Sequence, residues 1–149
     1  LLAEFEQVLA TIQPDMTIFY QLLIDLPTSL ANAEDVVNFF RSSFYGEPEP
    51  TEVAQLYTLV TNYQARLGAN TCTREDSVLR MKKANPRFIL RNYLLHMAIE
   101  ELQRGENTLF LKLQQALKDP YSRSHDEFFT IRPGWATQQA GCSMLSCSS

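Results

Sequence analysis

Three thiols, two imidazoles and a run of basic side chains are the groups here that could do chemistry. The thiols are Cys72, Cys142 and Cys147. An odd number at these spacings builds neither a secreted disulfide framework nor a zinc site, so a reducing cytosol is the expected compartment. Cys147 stands close to the end of the sequence, in Leu145-Ser146-Cys147-Ser148-Ser149. A thiol on a free tail reaches other surfaces and exchanges with disulfides, so Cys147 reads either as an incidental exposed thiol or as a redox group. A Cys142–Cys147 bridge is possible, although it would close a small loop under strain. Cys72 precedes a helix start and reads as a packed or partly exposed thiol.

His96 and His125 are far apart in sequence. His96 falls in a helix and reads as a packed or edge residue, while His125-Asp126 reads as a solvated turn rather than an acid–base site. Arg74, Arg80, Lys82, Lys83, Arg87 and Arg91 could meet a phosphate or an acidic partner. The plainer expectation is a solvated face, with one arginine bridging to a carboxylate or to helix C-terminal carbonyls. Arg91, among apolar neighbours, is expected to tie its helix to another element. The sequence contains no glycine-rich phosphate loop, nucleophile elbow, zinc-binding His pair or EF-hand loop. No nucleophile–base pair or metal set can be assembled from its spacing, so we expect no catalysis by these residues alone.

The elements that must position these groups are helical. Apolar residues make up 45% of the 149 residues and charged ones 20%, enough for a soluble core without staples. A net charge of -4 gives no general reason to expect nucleic acid or an anionic membrane as partner. No apolar run approaches the roughly 20 residues of a spanning helix. Leu2, Phe5, Leu9 and Ile12 open a first helix that Pro14 breaks, and a second is predicted from Asp15 to Leu26. Ser29 or Asn32 caps a third, holding Val36, Val37, Phe39, Phe40 and Phe44 and ending at Gly46. Glu47-Pro48-Glu49-Pro50 reads as a stiff exposed corner. Val53, Leu56, Tyr57, Val60, Tyr63 and Leu67 give the cleanest amphipathic helix, closed by Gly68. Thr73 and Asp76 suggest a cap for the next helix.

Asn85-Pro86 then looks like the start of the most buried helix, running to Gly105 with apolar residues over most of its circumference. Asn107 or Thr108 caps a last helix, and Asp119-Pro120 ends it. The expected architecture is all-α, about six to seven packed helices, with residues 1–120 as a helical domain and 121–149 as an extended tail wrapping it, loose at its end. The sequence begins with Leu, without the basic stretch of a signal peptide, and reads as a C-terminal piece of something longer.

Asn85-Pro86-Arg87-Phe88-Ile89-Leu90-Arg91-Asn92-Tyr93, Ala98-Ile99-Glu100, Gly105-Glu106, Leu117-Lys118-Asp119-Pro120-Tyr121, Arg132-Pro133-Gly134-Trp135 and Ser146-Cys147-Ser148-Ser149 occur in that order. Together they resemble the C-terminal end of selenoprotein O, the family of YdiU-type proteins, over roughly the second half of the chain; residues 1–70 are only compatible with it. The resemblance implies a parent with a protein-kinase-like (pseudokinase) fold that binds ATP in an inverted pose. With Mg or Mn, such a parent transfers AMP to Ser, Thr or Tyr hydroxyls of protein substrates. It implies nucleotide- and metal-binding residues upstream of this chain, in a kinase-like domain that these helices buttress. It also implies that Cys147 occupies the place of a cysteine or selenocysteine thought to form a regulatory disulfide with that domain. Gly134 departs from the family pattern, where a second proline commonly precedes the tail tryptophan. The rival reading is an all-α interaction module without enzymatic activity, docking an acidic or helical partner.

Overall fold

Prolines and capping side chains set the helix limits in the computed structural model, which describes residues 1–139 and residue 142. Seven α-helices and three short 3-10 turns make up the regular structure of the described residues, with no strand among them. The helices are α1 (Leu2–Ile12), α2 (Met16–Ile24), α3 (Ala33–Phe40), α4 (Pro50–Gly68), α5 (Arg74–Ala84), α6 (Asn92–Gln103) and α7 (Thr108–Lys118). They fall into two compact units, Leu1–Asn85 and Pro86–Ser149.

In the first unit α4 is the hub, packing against α1 and α3, while α2 packs against α3 and α5. Its apolar period puts Leu56, Leu59 and Val60 in the interior, beside Phe19 from α2 and Phe40 from α3. The Phe19 and Phe40 rings stack with centroids 4.6 Å apart. The expected corner before α4 is a cap: Glu49 and Glu52 each accept the other's backbone amide, and Pro50 takes the first helical position. The third helix takes Asn32 as its cap, which accepts the Asp35 amide at 2.9 Å. It stops at Phe40 rather than running to Gly46. Residues Arg41–Ser43 form a 3-10 turn instead, because Ser43 Oγ donates to the Phe40 carbonyl and the Ser43 carbonyl accepts the Asp15 amide.

Asp15 makes that junction. It caps α2 by accepting the Ile18 amide at 3.1 Å and takes the Tyr45 hydroxyl at 3.0 Å, all while 3% exposed. Thr73 caps α5 as expected, accepting the Asp76 amide at 3.1 Å.

The predicted helix start at Asn85-Pro86 is overturned. Asn85 closes α5, donating both its amide and its side-chain Nδ2 to the Met81 carbonyl. The Arg87 and Phe88 amides both donate to the Pro120 carbonyl at 2.8 Å, so this stretch is held out of a helix by an acceptor from beyond α7. The next helix, α6, begins only at Asn92. Nor is α6 the most buried helix: Tyr93, Leu94 and Ala98 are buried, but Leu95, Met97, Ile99 and Leu102 are not. Gly105, with φ +83, ends it as expected, in the left-handed region that suits glycine. Glu101 then reaches across to accept the Leu109 amide at 2.9 Å and so caps α7 from α6.

The second core joins Leu94 and Ala98 of α6, Leu113 and Ala116 of α7, Phe88, Phe128, Ala136 and Cys142. The segment after Pro120 thus supplies core residues, from 3-10 turns at Asp126–Phe128 and Gly134–Thr137. Trp135 remains half-exposed, edge-on to Tyr93 with centroids 6.2 Å apart.

Candidate functional site

Cys147 and the expected loose end of the tail lie outside the described residues. Cys142 is a free thiol buried in the second core, its amide donating to the Gln139 carbonyl at 3.1 Å. Cys72 is a free, half-buried thiol just ahead of the Thr73 cap. It lines a cavity of about 200 Å³ in the first unit, together with Leu26, Pro27, Gln64, Leu67 and Arg74.

Two of the basic residues have partners within the chain. Arg74 Nη2 donates to the Ile24 and Leu26 carbonyls at 2.8 and 3.0 Å, closing the C-terminal end of α2. Burial pushes the nearby Tyr63 phenol above its ordinary pKa, against the opposing charge of Arg74. Arg87 makes a two-pronged pair with Asp126, with Nη2 2.8 Å from Oδ2, and lies 3.6 Å over the centre of the Phe129 ring. Arg123 adds a second, looser contact to Asp126 at 3.5 Å. The hydrogen bond from Arg87 is the chief reason the Asp126 carboxyl is held below the usual carboxylate range. Two arginines thus meet the expectation made for one: Arg74 on carbonyls and Arg87 on a carboxylate. The Arg91 backbone is the N-cap of α6, its carbonyl accepting the Leu94 and Leu95 amides.

Each histidine has a carboxylate beside it on its own element. His96 Nε2 is 3.3 Å from Glu100 one turn along α6, and His125 Nδ1 is 3.7 Å from Glu127 while its ring stacks on Phe128. These are edge positions on a helix and a turn. No group of three or more His, Cys, Asp or Glu side chains able to hold a metal ion stands among the described residues.

Two features escaped the sequence reading, the Asp15 junction and the Arg87–Asp126–Phe129 clamp. Asp15 directly before a helical run was a signal for the first; nothing local could have paired Arg87 with a residue beyond α7. No helix of the described residues is long and apolar enough to cross a membrane.

Comparison with known proteins places the whole chain. It is 53% identical, over all 149 residues, to a Cytophaga hutchinsonii protein named protein nucleotidyltransferase YdiU, of which it covers 28%. It is 32% identical to the Nitrosospira multiformis protein of that name, again over all of this chain and 31% of the relative. A Xanthomonas euvesicatoria relative of the same name is 38% identical over 91% of this chain and 26% of its own length. The chain thus spans between a quarter and a third of the curated relatives it matches. No family model matches it. No solved structure matches it either.

Proposed function

We propose, from the premise that this chain belongs to the family of proteins named protein nucleotidyltransferase YdiU, that it is the C-terminal helical region of a protein adenylyltransferase. In this reading the parent has a protein-kinase-like fold, binds ATP with Mg or Mn, and transfers AMP to Ser, Thr or Tyr hydroxyls of protein substrates in the cytoplasm. The nucleotide and metal are held by residues outside these 149. The helices buttress the kinase-like lobe, and the isolated chain transfers nothing.

Cys147 is a redox latch: its thiol and a thiol of the kinase-like part join as a disulfide, giving two electrons and two protons to a disulfide oxidant. Cys142 is the competing partner, at the cost of leaving the second core. The observation that carries the reading is the 53% identity sustained over the whole chain to a protein named for nucleotidyl transfer.

The test is AMP transfer from ATP labelled at the α-phosphate to an acceptor protein, with Mg or Mn, by the full-length protein and by this chain alone. Label is expected on hydroxyl side chains with the full-length protein only. Absence of label with the full-length protein overturns the activity. Cys147→Ser is expected to abolish the difference between oxidised and reduced enzyme, and an unchanged redox response removes the latch.

A further inference from the structure

One side of α6 carries an apolar row that the described residues leave exposed. Leu95, Ile99 and Leu102 recur at i, i+4 and i+7 and are 38%, 45% and 44% exposed. Ile89 and Leu90, just ahead of the helix, are similarly open. Single exposed apolar residues are commonplace, but a row in register on one helix face is a contact surface. Nor is this row the helix's water face. Asn92, His96, Glu100 and Gln103 lie together on a separate polar arc, and Leu94 and Ala98 form the side that enters the core.

We propose that the Leu95–Ile99–Leu102 face of α6 is the surface on which the part of the polypeptide outside these 149 residues packs, through an apolar helix or sheet face of its own. This rests on the reading that the chain is one portion of a YdiU-type enzyme, and it names the surface by which that portion joins the rest. The row bears no charge, so it matches an apolar partner rather than an acidic one. The chain aligns to 28% of the length of the Cytophaga hutchinsonii relative, so on this reading most of the polypeptide lies outside these 149 residues. A segment on the same polypeptide meets this face at an effective concentration in the millimolar range, which a second copy or a free protein seldom reaches.

The test uses the full-length protein, with Ile99→Cys and Glu100→Cys compared for their rates of maleimide labelling, read peptide by peptide in a mass spectrometer. Both positions are exposed in these 149 residues, so equal rates are expected of an uncovered helix. The proposal expects Ile99→Cys to label at least tenfold more slowly than Glu100→Cys; rates within twofold overturn it. A photo-crosslinking amino acid at Leu95 identifies the cover. A crosslink to a residue outside the 149 supports the proposal, whereas a crosslink to residues 1–85 or to a second copy overturns it. Neither measurement depends on AMP transfer. An active enzyme with an open face sinks this inference alone, and an inactive one with a covered face sinks the activity alone.

Discussion

Arg87 meets a carboxylate with the fork of its guanidinium and an aromatic ring with its face, so lysine cannot replace it. The pair is partly exposed at Asp126, which keeps its worth small: Arg87→Ala is expected to lower stability by about 1 kcal/mol, measured by urea unfolding. The depressed Asp126 pKa gives the pH dependence a definite sign. Its contribution is full above the ordinary carboxylate value of about 4 and is lost as pH falls further, through the lowered folded value. The stability gap between wild type and Asp126→Asn should therefore be constant from pH 5 to 7 and narrow below pH 4; a gap that widens in acid refutes the pairing. Asp15 is the costlier residue to lose. Asp15→Ala removes the α2 cap and the buried carboxylate that takes the Tyr45 hydroxyl, for about 2 kcal/mol in the same assay. An aspartate ahead of a helical run was legible as a cap from sequence, but its tie to Tyr45 was not, because only folding brings them together.

Among the elements, the helices of the first unit were readable because their apolar periods and their caps agree. Asn32, Thr73 and the Glu49–Glu52 pair all sit where an apolar period begins. Asn32→Ala should cost about 1 kcal/mol in thermal or urea unfolding, with little change elsewhere. The stretch from Asn85 to Arg91 misled for a physical reason. Asn-Pro is a sound helix opening, but the Pro120 carbonyl, far along the chain, takes the Arg87 and Phe88 amides first. Pro86→Ala therefore leaves helix content unchanged in far-UV circular dichroism; a gain of a helical turn would mean that proline, and not Pro120, holds this stretch open. The apolar circumference of α6 misled likewise, since a sequence period reports that a side wants cover without saying whether these residues provide it. Cys147, by contrast, became a candidate through its motif, because a lone thiol has no period or cap to place it.

For the molecule as a whole, each unit has its own interior, one centred on Phe19, Phe40 and Leu56 and the other on Leu94, Ala98 and Leu113. Phe40→Ala is expected to lower amide-exchange protection within residues 1–85 by about 3–5 kcal/mol while leaving α6 and α7 as they were. Leu113→Ala should do the reverse, and a loss shared equally by both units would refute separate cores. The join between them has its own logic. Asn85 is fastened backwards, to Met81 and through its carbonyl to Gln21 at 2.7 Å, while Arg87 and Phe88 are fastened forwards to Pro120. Pro86, between those two knots, has no amide hydrogen to give to either. A foreign stretch spliced in after Asn85 would leave both knots tied, which makes this peptide bond the natural place to insert a tag.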